Sequence, residues 1–335
     1  MTSVTVFVGL DYHDSGVQVS VLDPAGRVLW NRPCGNDAAA IADRVARFGD
    51  RVFAAIEACT GAAALADELA ALPGWSVDLA HPGYVARLKQ SPDKTDLQDA
   101  QLLADLERVG YLPKVWLAPP AVRELRRLVR YRQQLVNQRR DAKLRIRALL
   151  REARVAAPAG VRPWTKKWLA WLQALAGLGE QTRWVIDRHL ARLEWLSGEI
   201  AAAERRLAEA TADDPVVCRL LAQRGVGLVT AAALRAEIGR FDRFRTGKQL
   251  ARFCGLSPRN ASSGPRQADA GLVKAGNPEL RAVLIELAWR LIRYEPRWRA
   301  LAGGLRGRGK AGSLTAAAVA NRFVRWLHHE MTLAA

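Results

Sequence analysis

The sequence predicts an α/β domain followed by an all-α remainder, and three observations carry that reading. Short β-branched apolar runs fall within residues 1–112, while later apolar residues recur at three- and four-residue spacing over long stretches without Gly or Pro. The 335 residues carry a net charge of +18, unevenly spread. Residues 1–110 hold nine Lys and Arg against fifteen Asp and Glu, a net of −6, which leaves +24 on the rest. An acidic domain joined to a strongly basic remainder points to metal chemistry at one end and polyanion binding at the other.

The elements of residues 1–112 follow in order. The run Val4-Thr5-Val6-Phe7-Val8-Gly9-Leu10 reads as a buried strand ending at Asp11. Residues 16–23 alternate as a second strand, and Pro24-Ala25-Gly26 turns into a third at 27–31. A helix at 37–48 leads to strand 51–57, which ends at Glu57. Helix 61–72, strand 75–80 and a helix bearing Asp96 and Asp99 complete the domain. A spacing of three puts that last pair on one helix face. A three-strand meander, then alternating α and β, then an acid-bearing helix is the ribonuclease-H order. It resembles the RuvC resolvase variant, in which the last two acids share a helix.

Asp11, Glu57, Asp96 and Asp99 are the candidate catalytic and metal-binding residues. Clustered carboxylates repel and need protons or cations. Mg²⁺ suits a few carboxylates plus substrate phosphates, and two such ions can clamp the attacking and leaving oxygens of a phosphodiester. The alternative is that acids at strand ends and first helical turns are ordinary caps.

Residues 113–212 read as a basic helical arm. Pro113 and Pro119-Pro120 punctuate its start, and Ala121–Ala153 contains no Gly or Pro. Leu125, Leu128, Leu135, Ala142, Ile146 and Leu149 keep helical spacing. Residues 123–154 carry twelve Arg or Lys and three acids, more imbalance than a merely solvated face shows. Arg126, Arg127, Arg130, Arg139, Arg140, Lys143 and Arg147 are therefore candidate polynucleotide-backbone contacts. Residues 155–180 read as irregular; Trp164, Trp168 and Trp171, interleaved with Lys166 and Lys167, either stack on unpaired bases or pack the helices together. A second long helix runs from Thr182 to Ala210. Its Ile186, Leu193, Ile200 and Leu207 repeat every seven residues, a coiled-coil pattern that serves an antiparallel hairpin or a dimerisation arm.

Residues 213–335 read as a helical domain. Helices at 216–223 and 228–238 flank Arg224-Gly225-Val226-Gly227, a helix-hairpin-helix pattern in which Gly225 and Gly227 let backbone N–H groups approach a phosphate. Ser262-Ser263-Gly264 lies among Arg259, Arg266 and Lys274. A serine beside cations can attack a phosphodiester, although a plain polar loop has the same composition. No histidine is near enough in sequence to make a classical hydrolase triad. Helices at 279–293 and 313–331 close the chain, joined by a basic loop, Gly303–Lys310.

No apolar run is long enough for a transmembrane helix, and the amino terminus lacks a signal-peptide pattern, so a cytoplasmic, nucleoid-associated protein is expected. Cys34, Cys59, Cys218 and Cys254 are scattered without zinc spacing and read as reduced, mostly buried thiols.

Six short motifs, in order, carry a resemblance to a known family: Gly-Leu-Asp-x-His, Ile-Glu-Ala, Asp-Lys-Thr-Asp-x-x-Asp-Ala, Gly-Val-Gly-x-x-Thr-Ala, Gly-Leu-x-Pro-Arg and Ser-Ser-Gly. They resemble the DEDD transposases of bacterial insertion sequences, the family numbered one hundred and ten, which includes the Piv DNA invertase. The resemblance implies a RuvC-like domain (1–112), a coiled-coil arm (113–212) and a serine-bearing transposase domain (213–335). It implies an enzyme in which Asp11, Glu57, Asp96 and Asp99 hold Mg²⁺, in a two-ion manner. It implies that Ser263 or Ser262 forms a transient serine–DNA phosphodiester, Ser263 being preferred because it directly precedes Gly264. It further implies donor and target DNA, a noncoding bridge RNA and a homo-oligomer, dimer or tetramer, as partners. The family usually has Gly or Glu and then Lys after the loop glycine, whereas Pro265-Arg266 stands here. Rival readings are a Holliday-junction nuclease using water at the same acids, a protein-only invertase, and a non-enzymatic RNA- or DNA-binding protein.

Overall fold

Strand β1 (Thr5–His13) organises the first part of the chain, in a computed structural model that describes residues 3–88, 95–260, 269–273 and 275–333. It pairs antiparallel with β2 (Gly16–Leu22), which pairs antiparallel with β3 (Val28–Cys34). On its other side β1 runs parallel to β4 (Arg51–Glu57), and β4 runs parallel to β5 (Trp75–Ala80). A two-residue strand, β6 (Lys114–Val115), closes the edge antiparallel to β5 and gives the order β3-β2-β1-β4-β5-β6. The meander followed by α/β alternation matches the sequence reading. The short β6 carries no periodic signal and was not expected.

Alternation along β1 decides which helices cover which face. Val6, Val8 and Leu10 are fully buried with Ile41 and Val45 of α1 (Ala38–Val45) and Leu65 and Leu69 of α2 (Ala62–Ala70). The opposite face carries Gly9 and lies under α4 (Asp96–Arg108), where Leu103 and Leu106 pack with Ala55 and Ala80. An unexpected helix, α3 (Pro82–Leu88), adds Val85 to that cluster.

The chain divides into two compact units, residues 1–118 and 119–335. In the second, α5 (Pro120–Glu152) and α7 (Glu180–Thr211) lie antiparallel. Leu135 meets Leu196, Ile200 and Ala203, while Ile146 and Leu150 meet Ile186 and Leu193. All four seven-spaced residues of α7 are buried. The connection between these helices is not wholly irregular, contrary to expectation. Helix α6 (Lys166–Ala174) starts where the Thr165 hydroxyl accepts a hydrogen bond from the Trp168 N–H, a local cap that short helices need. Trp168 is 2% exposed and packs between Trp164 and Trp171, so this tryptophan belongs to the core.

Helices α8 (Pro215–Leu221) and α9 (Leu228–Ile238) flank a tight turn in which Gly225 has φ +84°. Helix α10 (Gly247–Phe253) precedes a hairpin of β7 (Pro258–Asn260) and β8 (Asp269–Leu272). Its base is fixed by main chain. A Cβ on Gly276 would lie 2.3 Å from the Gly255 Cα, and Gly255 has φ +66°. The Val273 N–H donates to the Ser257 carbonyl at 2.9 Å. The chain closes with α11 (Pro278–Tyr294), α12 (Pro296–Gly307) and α13 (Gly312–Thr332). The expected basic loop at 303–310 is therefore mostly helix. Pro296 opens α12, and buried Trp298 and Ala302 anchor it despite Gly303 and Gly304. Of the cysteines only Cys254 is buried; Cys59 and Cys218 are exposed and Cys34 is intermediate, which corrects the expectation of mostly buried thiols. Among the described residues no helix is long and apolar enough to cross a membrane.

Candidate metal centre and nucleic-acid contacts

Parallel pairing of β1 and β4 builds the first half of the site. Their last paired residues are Leu10 and Ile56, so Asp11 and Glu57 follow side by side at the ends of neighbouring strands, about 5 Å apart. Helix α4 supplies the second half. Thr95 caps it, its hydroxyl accepting from the Gln98 N–H, and Asp96 and Asp99 occupy the first turn, where the helix dipole favours negative charge.

What brings the halves together is a missing side chain. A Cβ on Gly9 would stand 1.8 Å from the Ala100 carbonyl oxygen and 2.6 Å from the Ala104 nitrogen. The helix backbone thus rests on the strand backbone, and only glycine permits it. Asp11 and His13 follow Gly9 on the same face of β1.

Asp11, His13 and Asp96 each offer a ligand atom within 4.8 Å of the others. His13 Nε2 lies 3.3 Å from Asp11 Oδ2 and 3.6 Å from Asp96 Oδ1. Asp99 is 8% exposed and close enough to act on Asp11 electrostatically. Burial raises the Asp11 carboxyl above its ordinary value; His13 opposes this, and Asp99 and Asp96 add to it. The Cys59 thiol is raised by burial and then by the nearby Glu57 and Asp11. Two of the four predicted acids, Asp11 and Asp96, therefore stand in the tight set, with Asp99 and Glu57 beside it. His13, the histidine of the Gly-Leu-Asp-x-His motif, had no site role in the sequence reading, although its position two residues after Asp11 in a strand is the signal. Carboxylate oxygens converging with one imidazole fit a divalent cation.

The basic candidates fare differently. Arg130 donates to both oxygens of Glu237 at 2.9 and 3.1 Å, and Arg126 Nε donates to the Ala236 carbonyl at 3.0 Å. Both thus hold α5 to α9. Hydrogen bonding to Glu237 raises Arg130, whereas burial lowers Arg126 despite the same acid. Arg127 pairs with Glu124, and exposed Arg140 lies 3.5 Å from Asp141. Arg147 and Arg259 are exposed. Lys143 lies 5.2 Å from the Trp164 ring centre and, with Arg139, lines a cleft of about 640 Å³. Gly227 precedes α9, whose first turn follows the Gly225 turn. Ser262, Ser263, Arg266 and Lys274 lie outside the described residues.

Comparison with known proteins places this arrangement. A transposase model of the DEDD type matches residues 8–155, which include all four acids. A second, described as the transposase IS116/IS110/IS902 family, matches residues 218–302. A probable family 20 transposase of Pseudomonas aeruginosa is 32% identical over 287 residues, 82% of each chain. This chain belongs to the IS110 family of transposases. The putative transposase y4qE of Sinorhizobium fredii is 34% identical over 217 residues, 64% of this chain and 52% of that one. The transposase for insertion sequence element IS1328 of Yersinia enterocolitica is 28% identical over 243 residues, 70% and 69% of the two chains. The IS110-family chain thus aligns with about half the length of the Sinorhizobium relative. A DEDD domain implies a ribonuclease-H-like fold and use of a divalent metal, which agrees with the sheet order and the acidic site.

Proposed function

We propose that this chain cuts and rejoins DNA strands as the transposase of an insertion sequence, guided by a noncoding bridge RNA that pairs with donor and target DNA. The observation that carries the chemistry is the convergence of Asp11 and Asp96 beside Asp99 and Glu57, set by the Gly9–Ala100 contact. These acids would hold Mg²⁺, as two ions, which supplies charge neutralisation at the scissile phosphate. His13 would add an imidazole nitrogen to the same ligand set.

In this reading Ser263, or Ser262 beside it, attacks phosphorus. The serine Oγ–P bond forms, the P–O bond to the departing deoxyribose oxygen breaks, and that oxygen leaves protonated while the serine hydroxyl gives up its proton. A second strand's hydroxyl reverses the step, so strands are rejoined without ATP. Support comes from the family model over 218–302, which spans both serines. Base pairing would choose the sequence while the protein holds backbone and duplex shape. The basic remainder and an oligomer, dimer or tetramer, would hold the strands.

RNA recovered with the protein from cells carrying its flanking DNA tests the guide. One discrete RNA encoded beside the gene supports guiding; mixed RNA removed by salt counts against it. Asp11→Ala is expected to abolish strand cleavage and leave RNA binding intact. A hydrolytic junction nuclease is the second reading, in which water attacks phosphorus at the same acids and no serine is needed. Cleavage retained in Ser262→Ala/Ser263→Ala would support it over the serine route.

A further inference from the structure

Three separated stretches of the second unit meet around one cleft of about 780 Å³. The start of α10 brings Arg245, Thr246 and Lys248, the first turn of α12 brings Arg297 and Trp298, and α13 brings Arg322, Arg325, Trp326 and His329. The α13 residues are spaced i, i+3, i+4, i+7, which puts them on one face. A Cβ on Gly247 would lie 2.8 Å from the Arg325 carbonyl oxygen, so α10 is pressed directly onto α13. His328 Nε2 donates to the Phe244 carbonyl at 2.8 Å and ties the same helix to the chain ahead of α10.

The wall chemistry is one-sided. Among the described residues no Asp or Glu lines the cleft. Elsewhere in this unit several arginines face acids, as in Arg132 with Glu204 and Arg235 with Asp214. The floor is aromatic: Trp298 and Trp326 have ring centres 6.3 Å apart, and the Arg297 guanidinium lies over them at 4.8 and 5.5 Å. Cations gathered without an acid repel one another and attract an anion. A guanidinium plane and an indole both offer surfaces on which a flat base stacks.

We propose that this cleft binds an unpaired nucleotide of a nucleic-acid strand, its phosphates on Arg322, Arg325 and Lys248 and its base on the Arg297–Trp326 surface. Concavity and the aromatic floor favour a single strand, since bases in a duplex are already stacked and turned inward. The proposal rests on the nucleic-acid part of the function proposed above and on neither the metal nor the serine.

The test is fluorescence anisotropy of the full chain in EDTA, with short RNA and DNA strands of one sequence and the matching duplex. Anisotropy in EDTA reads binding without any bound metal, so failure of the metal reading leaves this result interpretable. Arg322→Ala/Arg325→Ala is expected to weaken single-strand binding about tenfold or more and to lower its salt slope by about 1.4, at ~0.7 per phosphate contact, with duplex binding within about twofold. Trp326→Leu keeps an apolar filler and is expected to weaken single-strand binding about fivefold or more with an unchanged salt slope. Loss of single-strand and duplex binding in equal measure, or of neither, would overturn the proposal. Tighter binding of RNA than DNA names RNA as the source of the strand, and the reverse names DNA. If Trp326→Leu fails to fold, photocrosslinking of a 5-iodouridine strand to the wild-type chain decides. A crosslink in the tryptic peptide 326–335 supports the cleft, and crosslinks only elsewhere overturn it.

Discussion

Asn277 donates a hydrogen bond from Nδ2 to Glu237 Oε2 at 2.8 Å. The same carboxylate takes Arg130 on both oxygens and has Arg126 at 3.7 Å. Glu237 is 5% exposed, so α5, α9 and α11 meet at one buried acid. Glu237→Ala strands Arg126, which is largely enclosed, and is expected to lose about 2–3 kcal/mol of stability, below the usual loss for a broken buried pair because Arg130 is half in solvent. Asn277→Ala also removes the α11 cap and is expected to lose about 1–2 kcal/mol. Urea unfolding midpoints of the single and double variants check both values and their coupling.

Gly9→Ala changes no charge, yet it is expected to damage the metal site. The new methyl would overlap the Ala100 carbonyl, so α4 must withdraw and carry Asp96 and Asp99 with it. Magnesium affinity by titration calorimetry should fall about tenfold or more, with about 2 kcal/mol of stability lost to overpacking. An unchanged affinity would show that α4 does not set the site.

Asp11 makes stability depend on pH with an unusual sign. Its carboxyl is raised in the fold, so over the interval above its ordinary value the folded state binds more protons than the unfolded state. Stability in EDTA therefore falls as pH rises through that interval. Magnesium, binding only the folded carboxylate, is expected to reverse the fall and raise the melting temperature at neutral pH. Asp11→Asn should remove both effects in thermal melts.

His13→Ala separates metals by ligand taste. An imidazole beside carboxylates favours nickel far more than magnesium. In untagged protein, nickel affinity should drop about tenfold while magnesium affinity changes about twofold or less. Equal losses would make His13 a positioning group and not a ligand.

The first unit was legible because β1, β2 and β4 are short runs rich in β-branched residues, and because Asp11 and Glu57 stand at the carboxyl-terminal ends of two of them. Helices α3, α6, α10 and α12 were not: none is longer than 12 residues, and two glycines interrupt the apolar pattern of α12. Arg126 and Arg130 looked like phosphate contacts because their partner, Glu237, is more than a hundred residues away. The Trp326 cleft was hidden for a related reason. Its cations come from three distant stretches, and each alone reads as a solvated charge. The acids of the first turn of α4 gave no hint of how close they come to β1, since that distance is set by Gly9, a residue that reads as a generic strand interruption.

The base of the β7–β8 hairpin is held by main chain: Gly255 against Gly276, Val273 to Ser257, and Asn277 to Phe253. These hydrogen bonds use only backbone groups, so the side chains at Ser257 and Val273 can vary without breaking them, whereas a Cβ at Gly276 would force the two backbones apart. For an engineer, the two glycines are the fixed points of the hairpin base.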